Sequence, residues 1–291
     1  MRAVAELVAE PGPDGTVRLP VQRSQAPLIL RRTADAVYLA SGAAGPLGGD
    51  TLELRIEVRP GAQLRLRTVA ATVALPGRYG QESLLTITAT VGAGAHLEYR
   101  PEPLVAADGA RHRTEVTVAL AADASLVLRD EILLGRHGER GGACRTRLAV
   151  DRDGRPLLRH ELDVSGADAA SMGPAVLAGH RAAGMLLTVE PGGAGGVSEA
   201  GGALGASGIS GAGGTWGAAG VGAFYSAEKA DGAQTDSWRA GHQPWVAAMP
   251  LAGPGVLVTA LAHDTRTLRR RLESGRGTPS PVLSGTGGGI A

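Results

Sequence analysis

Five carboxylates of the sequence lie within or at the ends of alternating apolar segments, where an acidic side chain can do chemistry. They are Asp50, Glu98, Asp130, Glu131 and Glu161. Asp130 and Glu131 lie between LVLR and ILLG, an apolar setting in which a charge needs a partner or a function. Arg129 and Arg136 are the nearby cations that could pair with them. Consecutive strand residues point to opposite faces, so Asp130 and Glu131 are poorly placed to be the acid and base of a hydrolase.

The other reactive residue types do not form a catalytic pattern. The histidines occur singly, without the HExxH spacing of a zinc enzyme, and no GxSxG nucleophile motif is present. Cys144 is the only cysteine, which excludes an intramolecular disulfide and a multi-cysteine zinc site. It lies in a glycine-rich segment beside Arg145, which could lower the pKa of the thiol, although a merely tolerated small residue is the alternative. These residues by themselves therefore describe no active site.

Two glycine-rich stretches resemble anion-binding loops. GPLGGD, at residues 45–50, lacks the Gly-Lys-Ser/Thr and the helix that a phosphate loop requires, and an alternating strand follows it. LGRHGERGG, at residues 134–142, could hold an anion, but its composition equally predicts a solvated turn between strands. Neither stretch predicts a nucleotide site.

The composition limits which partners the protein can recognise and indicates where in the cell it acts. The 291 residues include 29 basic and 28 acidic ones, a net charge of +1. This balance gives no overall field for nucleic acid or a membrane surface, so a partner must be recognised locally. The absence of an apolar signal sequence, of an apolar run of about eighteen residues and of paired cysteines predicts a soluble, cytoplasmic chain.

Residues 50–164 contain four similar segments, each with an alternating strand, a tight turn and a second strand. The segments are LELRIEVRPGAQLRLRT, LLTITATVGAGAHLEYRP, TEVTVALAADASLVLRD and RTRLAVDRDGRPLLRHEL. The turns, at Pro60-Gly61, Gly92-Ala93-Gly94, Ala122-Asp123 and Asp153-Gly154, predict four hairpins. Leu64, Leu97, Leu126 and Leu158 recur about thirty residues apart, which predicts stacked β units.

The alternation predicts a body of packed β-sheets with few helices. Leu54, Ile56 and Val58 share one strand face, which we expect to be buried. We predict one short helix at residues 174–189. A second helix is predicted at residues 264–274, with Asp264 as its N-cap.

Glycine and alanine dominate the segment from residue 192 to about residue 240, which buries too little side chain to offset its ordering entropy. We predict a flexible insertion at about 192–240 and a disordered tail at 276–291. A residue pattern typical of β-strands resumes at residues 246–264. The chain is therefore predicted to be a single β domain over residues 1–275, interrupted by the insertion.

An ordered series of motifs in this sequence resembles the urease accessory proteins called UreD or UreH. The series is YLASGAAGPLGGDTLELRIEVRPGAQLRLRT, GAHLEYRPEP, LVLRDEILLGRHGERGG and RPLLRHELDV. The resemblance extends from about Pro27 to Leu187 and resumes from Leu251 to Leu272. The sequence departs from the family pattern at Thr51, where the family commonly has an acid, and at Tyr99, where a tryptophan is common.

The resemblance implies a fold, partners and a cargo. The implied fold consists of stacked β-sheets of β-helix-like topology with two short helices. The implied function is a non-enzymatic scaffold that binds UreF and, through it, the GTPase UreG, docks on apo-urease and helps to place nickel. No tightly bound cofactor is expected, because nickel is in transit and GTP is used by UreG. The resemblance also implies that a dimeric complex can form through UreF.

In this family an interior passage is thought to carry the nickel. The resemblance makes Asp50, Glu98 and Asp130 the candidate nickel-transit acids, with Asp50 brought to the passage by its glycine-rich loop. An ion that must leave again needs few ligands, because a complete cage would trap it. The alternative is a β-rich binding or adhesion module with no metal role, in which the glycine-rich segment is a linker.

Overall fold

The computed structural model of the protein describes residues 1–13, 15–192 and 245–275. The strands are β1 (Arg2–Pro11), β2 (Val17–Arg23), β3 (Leu28–Arg32), β4 (Val37–Ser41), β5 (Thr51–Val58), β6 (Gln63–Thr68), β7 (Thr72–Ala74), β8 (Ser83–Val91), β9 (His96–Arg100), β10 (Leu104–Ala106), β11 (Arg111–Leu120), β12 (Ser125–Leu134), β13 (Ala143–Arg152), β14 (Arg155–Ser165), β15 (Ala182–Val189), β16 (Val246–Pro250) and β17 (Gly255–Ala262). The helices are α1 (Ala169–Met172) and α2 (Thr265–Gly275).

The strands form two facing sheets wound as a β-solenoid of about four turns. The first sheet has the order β14-β13-β11-β8-β5-β1-β2, and the second runs β16-β17-β15-β12-β9-β6-β4-β3. Strands β5, β8, β11 and β13 stack in parallel in the first sheet, as β6, β9 and β12 do in the second. Each coil thus gives one strand to each sheet, which confirms the predicted mainly β class with stacked sheets and two short helices.

Three of the four predicted hairpins are wrong. The turn at Pro60-Gly61 carries the chain from β5 in one sheet to β6 in the other, and the next two turns do the same. Alternation cannot separate these cases, because a strand buries the same face whether its successor lies beside it or across the core. Only Asp153-Gly154 makes a hairpin, between β13 and β14. Both of its turn residues have positive φ, 50° and 71°, as a type I′ hairpin turn requires.

The thirty-residue leucine repeat is largely confirmed. Leu64 pairs in register with Leu97, and Leu97 with Leu126, so these three leucines stack along the second sheet. All three are buried. Leu158 does not continue the stack, because β14 turns back beside β13 in the first sheet. The sequence repeat therefore corresponds to the solenoid coil until the hairpin ends it.

The apolar core fills the space between the two sheets. Leu54, Ile56 and Val58 of β5 are buried there, as predicted, while Arg55 and Glu57 face solvent. Helix α2 packs on the opposite, outer face of the second sheet, where it covers apolar residues of β15 and β17.

The predicted helix at residues 174–189 is wrong. Residues 182–189 form β15, a central strand between β12 and β17, and the short α1 lies earlier in the chain. An apolar run buried on both faces has no distinguishing period, so neighbouring strands rather than local pattern decide its structure. The predicted second helix is confirmed as α2, with its Asp264 cap: the backbone N–H of Thr267 donates to Asp264 Oδ1 at 2.8 Å.

The chain after the glycine-rich segment returns to the second sheet. Strand β17 pairs with β15, and β16 pairs with β17, so strands do resume at residue 246. The predicted flexible insertion at about 192–240 lies outside the described residues from residue 193 onward, as does the predicted tail at 276–291. Neither α1 nor α2, the helices of the described residues, is long and apolar enough to cross a membrane.

Candidate functional site

Strand β12 brings one carboxylate into the space between the sheets. Residues Leu126, Leu128, Asp130 and Ile132 alternate along β12 on its inner face. Leu128 belongs to one apolar cluster of the core and Ile132 to a second. Asp130 therefore lies at the junction of the two clusters, where it interrupts an otherwise apolar row.

Asp130 borders two cavities. The larger, of about 220 Å³, is lined by β12, β15, β16 and β17 on one side and by β13, β14 and the segment before β15 on the other. Thr146 and His160 are polar residues of its wall, and Met185 is an apolar one. The smaller cavity, of about 60 Å³, includes Tyr99 in its wall. The carboxylate thus lies between two cavities rather than in solid packing.

The environment of Asp130 favours its protonated form. Burial raises the pKa of this carboxyl to about 6, and the neighbouring charge of Glu131 adds to the effect, while a hydrogen bond from Thr146 opposes it. Burial, with the nearby Asp130, also raises the pKa of the Tyr99 hydroxyl. A carboxyl with such a pKa exchanges its proton near neutral pH and can accept a cation in its place.

His160 is a second polar group of the larger cavity that sequence reasoning missed. Its Nδ1 is buried without a hydrogen-bond partner among the described residues, and burial lowers the pKa of the imidazole. The available signal was alternation: Leu158, His160, Leu162 and Val164 share one face of β14. Within the described ranges, no group of three or more His, Cys, Asp and Glu side chains is arranged to hold a metal ion.

The first sheet contributes a hydrogen-bonded line of buried polar residues. Ser83 Oγ lies 2.8 Å from His112 Nδ1, and His112 Nε2 lies 3.1 Å from Thr114 Oγ1. Burial lowers the pKa of His112 to about 4, so the ring is neutral at physiological pH. Thr114 also borders the smaller cavity, which joins this polar line to the surroundings of Asp130.

Asp50 is buried, but it borders neither cavity of Asp130. Its carboxylate forms an ion pair with the terminal ammonium of Met1 and accepts the backbone N–H of Leu47 at 2.9 Å. The glycines of GPLGGD allow a close backbone approach. A Cβ at Gly48 would lie 2.6 Å from the Cα of Gly77. Asp50 therefore closes its own loop in this structure.

Glu98 lies on the outer face of the second sheet. Its neighbours Leu97 and Tyr99 point inward, whereas Glu98 pairs with Arg67 at 2.9 Å and with Arg100 at 3.3 Å. The structure thus does not bring Asp50, Glu98 and Asp130 together. Of these three acids, only Asp130 borders the two cavities described above.

The contacts of β12 and β13 decide two other sequence-based interpretations. Arg129 pairs with Glu131 at 3.4 Å, as one of the two predicted cations, whereas Arg136 pairs with Glu139 in a surface turn and neither arginine pairs with Asp130. Cys144 is not in a turn but in β13, where it is 1% exposed and burial raises its pKa. The thiol is therefore a core group.

Comparison with known proteins decides the family. A sequence model described as UreD urease accessory protein matches residues 1–286. The chain belongs to the UreD family. A Urease accessory protein UreD of Frankia alni is 41% identical over 311 residues, covering 94% of this chain and 91% of that protein. Urease accessory protein UreD 3 of Streptomyces griseus is also 41% identical, over 283 residues, with 94% and 95% covered.

The UreD match is wider than the motifs alone indicate. It includes β1 and β2, which precede the first motif, and both sides of the glycine-rich segment. The Urease accessory protein UreD of Streptomyces coelicolor, 37% identical over 279 residues, likewise covers 94% of this chain. In this UreD-family fold, Tyr99 is a buried residue of the wall beside Asp130, and Thr51 begins β5.

Proposed function

We propose that this UreD-family chain is a non-enzymatic accessory protein of urease maturation that acts in the cytoplasm. With UreF and the GTPase UreG it docks on apo-urease and helps to deliver nickel to the urease active site, and UreF is the link through which a dimeric complex forms. The observation that carries this proposal is the family match over residues 1–286. It favours urease maturation over an adhesion or binding module without a metal role.

Within this role we propose Asp130 as the transit acid of the interior. It is the member of the predicted acid set that borders both cavities. Nickel is the cargo here and not a resident cofactor. A carboxylate oxygen from Asp130 and an imidazole nitrogen from His160 are donors that suit a divalent transition metal, and so few donors allow it to leave again.

The raised pKa gives Asp130 a means of releasing its cargo. At a pH near its value of about 6, binding of a proton and binding of a cation compete for the same carboxylate. Asp50 and Glu98 remain transit candidates from the resemblance, but their ion pairs give each a structural task as well. Asp130 is therefore the first residue to test.

The test is urease activation in a heterologous host that carries the urease structural and accessory genes, with and without the gene for this chain. We expect omission to abolish activity while apo-urease still assembles. We expect Asp130→Asn to lower activation by about tenfold, as loss of a metal donor does, while retaining UreF in a pull-down. Asp151→Asn, the same change at a surface ion pair with Arg159, is the matched control.

Three results separate the alternatives. Full activation without this chain contradicts the maturation role and favours the binding module. Loss of UreF binding in Asp130→Asn shows that Asp130 is structural rather than a transit acid. A third result is that omission of the chain abolishes activation but Asp130→Asn and Asp151→Asn activate urease equally. This result contradicts the transit role of Asp130 and leaves the scaffold role intact.

A further inference from the structure

The outer face of the second sheet carries a row of cationic residues that crosses four strands. Arg31 of β3 pairs in register with Tyr38 of β4, Tyr38 with Arg67 of β6, and Arg67 with Arg100 of β9. Residues paired in register point to the same face, so these four side chains form one line, called here the arginine row. With neighbouring strands about 4.8 Å apart, the row is about 14 Å long.

The arginine row is incompletely neutralised by the protein itself. Glu98 lies at its centre, and three guanidinium groups share its carboxylate: Arg67 at 2.9 Å, Arg100 at 3.3 Å and the adjacent Arg65 at 3.6 Å. Two further carboxylates lie nearby: Glu273, 3.3 Å from Arg100, and Asp35, which interacts electrostatically with Arg67 and Arg65. Arg31, which is exposed, donates only to the carbonyl oxygen of Leu30 among the described residues. The row therefore retains surplus positive charge. Arg67 and Arg100 lie directly opposite each other on neighbouring strands, where like charges repel.

Donor groups in the arginine row are also left without acceptors. Among the described residues, the buried Nε–H group of Arg67 has no hydrogen-bond partner, and that of Arg100 lies 3.3 Å from Glu98 without the geometry of a hydrogen bond. Buried donors without acceptors cost free energy, which an incoming acceptor that reorients the guanidinium recovers. The row is thus under-supplied with both negative charge and hydrogen-bond acceptors.

The opposite outer face of the molecule lacks this surplus. On the first sheet, Arg55 contacts both Glu53 and Glu6, at 2.7 and 3.3 Å. Arg145 pairs with both Asp163 and Glu161. Arg55 and Arg145 thus each have two carboxylates, whereas Arg65 and Arg67 share Glu98 as their ion-pair partner and Arg31 has no ion pair among the described residues. The net charge of +1 conceals this difference between the two faces.

We propose that the arginine row is a docking site for an acidic segment of a partner protein. Carboxylates form charge-assisted, bidentate contacts with guanidinium groups and supply what the row lacks. An acidic protein segment fits better than a nucleic-acid strand, because the row is short, offers only Tyr38 for stacking and has Glu98 at its centre. The proposal concerns the outer face and is separate from any transit through the interior.

The test measures binding of a fluorescein-labelled oligoglutamate peptide to the full chain by anisotropy at low ionic strength. We expect the double variant Arg31→Gln/Arg67→Gln to bind about tenfold more weakly or worse, because two charge-assisted contacts are lost. The matched control, Arg145→Gln/Arg147→Gln, removes the same charge from the first sheet and should bind within about twofold of the parent chain. Arg100 is left unchanged because it also contacts Glu273 of α2.

Several outcomes overturn the proposal. One is equal weakening in both double variants, which means that only overall charge matters. Another is absence of peptide binding to the parent chain. A third is tighter, row-dependent binding of oligothymidylate than of oligoglutamate, which assigns the row to nucleic acid. If the double variant fails to fold by circular dichroism, the single variant Arg31→Gln, at an exposed position, replaces it. The assay contains no urease component, so its failure is independent of the proposed maturation role.

Discussion

Asp130 and Glu131 are consecutive residues of β12, yet their carboxylates lie on opposite faces of the second sheet in opposite electrostatic settings. Asp130 points between the sheets, borders two cavities and has its pKa raised to about 6. Glu131 points outward, is fully buried beneath α2 and contacts Arg269 at 2.7 Å and Arg129 at 3.4 Å. Among the described residues, Asp130 has no cationic partner, whereas Glu131 has two. Substituting each residue in turn therefore tests which of the two carboxylates stabilises the fold.

We predict that Asp130→Asn stabilises the fold at neutral pH. The folded state raises the pKa from 3.8 to about 6, so it favours the protonated acid, and this contribution to stability is lost as the pH rises from about 4 to about 6. The corresponding free energy is up to about 3 kcal/mol at pH 7. Asparagine is neutral at every pH and should recover it. Chemical denaturation at pH 7 measures the gain, with Asp151→Asn as control, and a less stable Asp130→Asn contradicts the prediction.

We predict opposite pH dependence from His112. Its folded pKa of about 4 lies below the unfolded value of 6.5, so its contribution is fully present above pH 6.5 and is lost as the pH falls towards 4. In the parent chain this trend opposes that of Asp130. In Asp130→Asn the free energy of unfolding should therefore rise more steeply between pH 4.5 and 6.5 than in the parent. Parallel curves for the two chains would show that Asp130 does not titrate in this range.

We predict that Glu131→Gln destabilises the protein by about 3 kcal/mol, because it removes the buried one of the two carboxylates that Arg129 and Arg269 share and leaves them only the more exposed Glu102. Glu161→Gln is the matched control, since Glu161 is 41% exposed in its ion pair with Arg147 and should cost below about 1 kcal/mol. Both values come from denaturant unfolding. Similar costs for the two substitutions would mean that the contacts beneath α2 contribute no more than surface pairs.

We predict that Gly48→Ala costs about 3 kcal/mol, because its Cβ would lie 2.3 Å from the carbonyl oxygen of Gln81 and 2.6 Å from the Cα of Gly77. Gly61→Ala is the control. Its Cβ meets no atom within 4 Å, and only the positive φ of 73° opposes it, at about 1 kcal/mol. Thermal unfolding of both variants compares the costs. An equal loss of stability in the two variants would show that the loop of Gly48 can move away from residues 77–81 at no extra cost.

We predict that Cys144 is unreactive in the folded protein. The thiol is 1% exposed, and burial raises its pKa, so little thiolate is available. A disulfide exchange reagent should label it about a hundredfold more slowly in native buffer than in denaturant. Fast labelling of the native chain would contradict the placement of Cys144 in the core of β13.

Alternation along the strands was sufficient to predict much of this fold and part of its site. It predicted the buried face of β5 and the stacked units. Along β12 and β14 the same alternation is consistent with the inward positions of Asp130 and His160, although it was not used to predict them. It also indicates that Glu98, which alternates with Leu97 and Tyr99, faces outward. These features were determined by the sequence because side-chain direction in a strand reverses at every residue, whatever lies next to it.

Tertiary structure alone decided which strands are neighbours. Turns at Pro60-Gly61 and Asp153-Gly154 look alike in sequence, yet one joins two sheets and the other makes a hairpin. Residues 182–189 became a strand because β12 and β17 flank them on both sides. The cavities beside Asp130 and the counter-ions of Glu131 likewise depend on contacts between distant residues, such as Glu131 with Arg269. Residues so far apart in the sequence meet only when the coils pack together, so local sequence patterns cannot predict their contacts.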